Sequence, residues 1–215
     1  MDKRFWQTRW QEGKIAFHEG VPNRHLVRHF MALSLSAGSR VFVPFCGKTA
    51  DLDWLLSQGY GVSGIELNQD AVGEVFERLA LTPDVARFRG LTRFSGKGIV
   101  IWVGDFFELS ALDLGSVDAV YDRAALVALP AQMRTKYVRH LQSLCPSVPQ
   151  LLVSYDYDQD KMEGPPFSLP EDHVRSLYKD IYEIENLASV DIYGPLAERC
   201  SGREESWILR PIGQS

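Results

Sequence analysis

The segment from Val41 to Glu66, VFVPFCGKTADLDWLLSQGYGVSGIE, narrows the fold more than any other part of the chain. RVFVPF is a short apolar strand that Pro44 should end. TADLDWLLSQG reads as a helix opened by Thr49 or Asp51 and closed by Gly59. GVSGIE is a second strand and stops on an acid, Glu66. Strand, turn, helix, strand is a βαβ unit, and such units build parallel sheets with helices on their faces.

The rest of the chain continues that alternation. NQDAVGEVFERLA is a helix capped by Asn68, IVIWVGD a third strand and SVDAVYDR a fourth, with a helix near 130–144. QLLVSYDYD is a fifth strand and EDHVRSLYKD a helix; YEIENLASVDIY and EESWILRP are two closing strands. Strands so close in sequence form an antiparallel edge hairpin. The expected fold is therefore α/β, a Rossmann-like seven-stranded, mostly parallel sheet with an antiparallel C-terminal edge hairpin. Residues 3–36 read as helical, with Trp6 and Trp10 on one helix face and Asn23 as a cap. They form an N-terminal helical lid (1–37) on a core (38–215), within a single domain of 215 residues. RFRGLTRFSGKG is basic and glycine-broken, and its Arg87, Arg89, Arg93 and Lys97 read as a solvated hairpin.

Composition removes several classes of function. A net charge of −5 argues against a grip on nucleic-acid backbones. No apolar run approaches the ~20 residues needed to span a bilayer, and MDKRFWQTRW lacks the apolar core of a signal peptide. Cys46, Cys145 and Cys200 are odd in number and lack C-x-x-C spacing, so a reducing cytoplasm fits and a zinc site does not. His18, His25 and His29 lack a further ligand and read as surface or interfacial, not as metal-binding. The acidic surface and lack of a large apolar stripe point to a monomer.

Ligands of open α/β sheets bind beyond the carboxyl ends of the strands, near the point where strand order reverses. Glu66 stands 19 residues after Gly47, where a carboxylate can accept both hydroxyls of a ribose. Asp105, after the third strand, can accept from an adenine amino group while Phe106 lies against the ring. Gly47 lets backbone approach the ligand. It is the turn's one glycine, whereas a dinucleotide fold shows G-x-G-x-x-G. GKT is present, but Phe42 occupies the place of the phosphate-loop glycine, so Lys48 reads as a surface lysine. A ligand without phosphate suits this turn. S-adenosylmethionine is one, and its sulfonium would be attracted by aromatic faces such as Trp6, Trp10 and Phe17.

FWQTRWQEGKIAFHEG, VFVPFCGKTADLDWL, GVSGIE, YDRAALVAL and VSYDYDQDKMEGPPFSLP, in that order, resemble the bacterial form of the thiopurine S-methyltransferase family over nearly the whole chain. The resemblance implies an S-adenosylmethionine-dependent enzyme acting on thiopurines and other small thiols. Selenium and tellurium compounds are further candidates, in a detoxifying role. It implies a cofactor pocket from Trp6, Trp10, Phe45, Glu66, Asp105, Phe106 and Arg123, with Phe17, Pro166 and Phe167 covering the acceptor. It also implies a second substrate-side arginine, for which PLAERCSGREE offers Arg199 and Arg203.

Methyl transfer to sulfur is an in-line displacement that rests on proximity and alignment, so no catalytic triad is expected. Arg123 is the candidate catalytic residue: a guanidinium near the acceptor favours its anionic form. The bland alternative is a structural ion pair with Asp122 or Glu66. Asp122 itself orients Arg123 or caps the next helix. Competing readings are a methyltransferase for halide or thiocyanate, a non-catalytic nucleotide sensor, and an NAD-dependent oxidoreductase; the missing glycines and the edge hairpin disfavour the last.

Overall fold

The structure, a computed structural model, describes residues 3–14 and 18–213. Five parallel strands form its centre: β1 (Arg40–Pro44), β2 (Gly61–Glu66), β5 (Ile99–Val103), β6 (Ala119–Arg123) and β7 (Gln150–Tyr157). Antiparallel strands extend both edges. β3 (Asp84–Phe88) and β4 (Leu91–Gly96) lie beyond β5, while β9 (Gly202–Pro211) and β8 (Tyr182–Asp191) lie beyond β7. The order is β3-β4-β5-β2-β1-β6-β7-β9-β8. Nine strands replace the expected seven, because the basic stretch read as a solvated hairpin pairs with β5 and continues the sheet. Only Leu91 and Phe94 of β4 are buried, so its apolar period was faint in the sequence.

Helices cover both faces, which is why Val41, Phe42 and Val43 are all buried in an unbroken apolar run. On one face lie α2 (Arg24–His29), a 3₁₀ turn (Phe30–Leu33), α3 (Asp51–Ser57) and α4 (Gln69–Arg78). On the other lie α5 (Ala111–Leu114), α6 (Ala131–Leu144) and α7 (Glu171–Tyr178). Helix α4 begins where the Asn68 side chain accepts from the amides of Asp70 and Ala71, and it buries Ala71, Val72, Val75 and Phe76. Helix α3 starts after Ala50 without a side-chain cap, so neither Thr49 nor Asp51 caps it; the Thr49 hydroxyl accepts from the Asp51 amide at 3.3 Å. The Asp51 carboxylate instead accepts from the Asn23 amide at 2.6 Å and the Tyr121 hydroxyl at 3.1 Å.

The stretch read as helical over 3–36 holds α1 (Lys3–Gln11), α2 and the 3₁₀ turn, with non-helical backbone at Gly13 and Gly20, both at positive φ. No described helix is long and apolar enough to cross a membrane.

The strand order reverses between β1 and β6, so their carboxyl ends open a crevice. Gly104, which follows β5 at its rim, has φ +146, and a Cβ there would lie 2.4 Å from Leu91 Cδ2. Gly104→Ala should therefore cost about 2 kcal/mol, a fall of roughly 4–8 °C in Tm for a chain of this size. A thermal melt superimposable on wild type would show that the turn has room.

Candidate functional site

The carboxyl ends of β1, β2, β5, β6 and β7 face one cavity of about 690 Å³, in the range typical of small-molecule sites. Two left-handed residues shape its floor. Phe45, just after β1, has φ +48, and Ala124, just after β6, has φ +61. Non-glycine residues hold that conformation only where their surroundings enforce it. Here the Phe45 ring meets Phe106 edge-on, with centroids 5.3 Å apart.

Glu66 is buried, and three amides bind its carboxylate: Leu67 and Asn68 donate to Oε1 at 2.8 and 2.9 Å, and Gly47 donates to Oε2 at 2.9 Å. Burial raises its pKa, and these amides pull the other way. The residue read as a ribose acceptor thus also ties the β1 turn to the end of β2. A carboxylate has about four lone-pair directions, so capacity toward the cavity remains. Gly47 itself contributes an amide already held by Glu66. Lys48 pairs with Glu74. Neither is arranged to cradle a phosphate, whereas the aromatic walls and strand-end acids match a phosphate-free nucleoside such as S-adenosylmethionine.

Asp105 lines the cavity and accepts from the Phe107 amide at 3.0 Å, capping the 3₁₀ turn Phe106–Glu108. Phe106 is stacked on Tyr137 with centroids 5.0 Å apart, and its carbonyl meets His140 Nε2 at 2.9 Å, so its ring is fixed. Trp6 and Trp10 reach the same cavity from α1.

Arg123 is buried at the end of β6 and forms an ion pair with Glu19. The partners expected for a structural pair were Asp122 or Glu66. Strand alternation excludes the first, since neighbouring residues point to opposite faces. Asp122 accepts from the Leu126 amide at 3.0 Å and the Tyr137 hydroxyl at 2.7 Å, so it caps the turn after β6. Burial lifts its pKa to about 6. Burial alone would lower the Arg123 pKa, but the net shift is upward, with Tyr121 and Tyr155 ahead of Glu19 and Asp51 among the groups that raise it.

Pro165 and Pro166 line the acceptor end. Phe167 is not in the lining: its amide donates to the Val127 carbonyl at 2.7 Å and its ring packs under Gly164. Phe17 lies outside the described residues. Among the described residues no cluster could hold a metal ion. Of the two candidate arginines, Arg199 lines the cavity, while Arg203 stands at the start of β9, between β7 and β8, and binds Asp191. Sequence reading missed Glu19, Tyr155, Tyr193 and Glu204, all in the lining. Glu204 had a signal: it alternates with Ser206 and Ile208 along a strand whose residues are buried from Glu204 to Leu209. His25, read as surface or interfacial, is 3% exposed and bound to Ser206 and Glu204.

The family model described as Thiopurine S-methyltransferase (TPMT) matches residues 1–208. A thiopurine S-methyltransferase of Xanthobacter autotrophicus is 47% identical over 210 residues, 97% of this chain and 99% of that protein. One of Gluconobacter oxydans is 44% identical over 211 residues, 98% of this chain and 96% of that protein. Among solved structures, the 1,6-didemethyltoxoflavin-N1-methyltransferase of Burkholderia thailandensis, with bound 1,6-didemethyltoxoflavin and S-adenosylhomocysteine, superposes with a TM-score of 0.65. It is 14% identical and covers 97% of this chain and 86% of that one. An S-adenosylmethionine-dependent methyltransferase of Methanosarcina mazei gives 0.63 at 16% identity, covering 85% and 96%. At that identity the structures speak for the fold alone, which is the one found here. The sequence matches, spanning nearly the whole chain, establish that the protein belongs to the thiopurine S-methyltransferase family of S-adenosylmethionine-dependent methyltransferases.

Proposed function

We propose that the protein methylates the sulfur of small heteroaromatic thiols, thiopurines among them, with selenium and tellurium compounds as further acceptors in a detoxifying role. The observation that carries this is a buried, permanently charged Arg123 in the same cavity as Glu66, Asp105 and a wall of aromatics. One end is suited to a nucleoside and the other to a small polarisable anion.

S-adenosylmethionine supplies an electrophilic methyl group on a sulfonium. The chain's part is to bind, align and exclude water. Glu66 holds the ribose, Asp105 the adenine amino group and Phe106 the ring. Trp6, Trp10 and Phe45 wall the cationic centre, with α1 as a lid, and Gly47 lets the first turn approach. Arg123 holds the acceptor and favours its anionic form. Pro166 narrows the acceptor space, and Arg199, not Arg203, is the second substrate-side arginine. Phe17 and Phe167 are proposed to cover the acceptor, Phe167 through the proline turn it anchors. All three cysteines are free and buried, consistent with a cytoplasmic protein.

Calorimetric titration with S-adenosylhomocysteine and, separately, NAD tests the donor end. Tight binding of the thioether and none of NAD is expected; binding of NAD alone would overturn the reading. Turnover of a thiopurine with S-adenosylmethionine then tests the acceptor end.

A further inference from the structure

Between β8 and β9 the chain leaves the sheet at Ile192 and returns at Gly202, and both ends of that excursion are fixed. The Ile192 amide donates to the Gly202 carbonyl at 3.1 Å, and Ile192 and Cys200 are buried in a small apolar cluster with Tyr157 and Met162. A 3₁₀ turn over Gly194–Leu196 stiffens the middle. A loop anchored in this way holds side chains in place for a ligand. Tyr193, Pro195, Leu196 and Arg199 all line the cavity, so the excursion is one of its walls.

Tyr193 is the one aromatic of that wall, and it stays 39% exposed. The guanidinium carbon of Arg24 lies 3.4 Å from its ring centroid, so one face of the ring is covered. Arg24 is itself held, since its Nη2 donates to Glu204 Oε2 at 3.0 Å and to the Asp191 carbonyl at 3.4 Å. Glu204 is bound in turn by His25 Nε2 at 3.1 Å and by the Tyr155 hydroxyl. Arg24 is not in the cavity lining while Tyr193 is, so the covered face points away and the open face turns to the cavity.

The faces of an aromatic ring are negative. A guanidinium on one face draws that charge toward itself and leaves the opposite face less negative. Such a face suits an electron-rich ring that bears a thiolate, and it does not suit a sulfonium. Burial raises the pKa of the Tyr193 hydroxyl; Glu19 and Glu204 add to this, while Arg24 and Arg123 oppose it. The phenol is therefore neutral, and it stands among the charged groups around Arg123.

We propose that the open face of Tyr193 is the stacking platform for the acceptor ring and sets a preference for flat aromatic thiols over aliphatic ones. This rests on the sulfur-acceptor reading of the cavity and names a specificity residue for it. Arg123 meets the charge of the acceptor, and Tyr193 meets its surface. Arg24 is a positioning residue that fixes the plane of the platform. The ring keeps its shape as sulfur takes the methyl group, so stacking is equal in the ground and transition states. Tyr193 thus acts on KM and not on kcat.

The test compares wild type with Tyr193→Leu and Tyr193→Phe, each saturated with S-adenosylhomocysteine so that no turnover occurs. Dissociation constants are measured for thiophenol and cyclohexanethiol, which are similar in size and differ in flatness. Wild type should prefer thiophenol, and Tyr193→Leu should cut that preference about fivefold or more. Tyr193→Phe keeps the ring and should retain it. With S-adenosylmethionine, Tyr193→Leu should raise KM for thiophenol by a similar factor at unchanged kcat. An unchanged preference in Tyr193→Leu, or an equal loss for both thiols, would overturn the inference while the sulfur-acceptor reading stands. Wild-type protein that binds the thioether yet methylates no thiol would remove that reading and this inference with it.

Discussion

Replacing Glu66 with alanine is expected to weaken S-adenosylhomocysteine binding by roughly 10–150-fold, the loss of one charge-assisted hydrogen bond. Hydrogen bonds to an ionised acceptor are worth about 1.5–3 kcal/mol each, and each 1.4 kcal/mol is tenfold in affinity. The truncation removes the proposed ribose acceptor and also releases the amides of Gly47, Leu67 and Asn68, which then sit buried or half-buried without their partner. The first turn and the end of β2 lose the side chain that joins them. Glutamine is not a gentle substitute, because its NH₂ must face one of those N–H groups. Calorimetry of Glu66→Ala against wild type decides the matter, and an unchanged Kd would mean the ribose is held elsewhere.

Arg123→Ala is expected to lower kcat/KM for an anionic acceptor by about 10²–10³, equivalent to roughly 3–4 kcal/mol of lost charge-assisted contact. S-adenosylhomocysteine affinity should change little. The large effect has two sources. The acceptor loses its cationic partner, and Glu19, now unmatched, sets a negative charge beside an incoming anion. Lysine would restore the charge without the planar fork and recover only part of the rate. Steady-state kinetics and calorimetry on one preparation separate the outcomes. Equal turnover of variant and wild type would remove Arg123 from the acceptor site.

What the sequence made legible follows from how local each signal is. The central strands were readable because burial on both faces leaves unbroken apolar runs such as Val41–Val43. Glu66, Asp105 and Arg123 were readable because the ligand position in this fold is set by strand ends, and all three reach the cavity. The β3–β4 hairpin was undervalued because its residues are mostly exposed and basic. Contacts distant in sequence were out of reach. His25 looked like a surface histidine because Ser206, 181 positions away, gives no local sign of meeting it. The Glu19 partner of Arg123 was hidden in the same way, although strand alternation alone argued against Asp122. Phe167 shows a different limit: the motif gave its place in the chain, but not that its amide would donate to the Val127 carbonyl or that its ring would pack under Gly164.

The pairing of Arg123 with Glu19 gives the protein a built-in competitor. A tethered carboxylate occupies the cation at a high effective concentration, so an acceptor held by Arg123, as proposed, would enter by exchange, not by simple addition. Small abundant anions such as chloride and phosphate meet the same competition. Lacking a flat apolar ring to fill the remaining space, they gain too little to displace it. In the proposed site that competition would act as a filter, releasing the guanidinium only to molecules that bring both charge and surface.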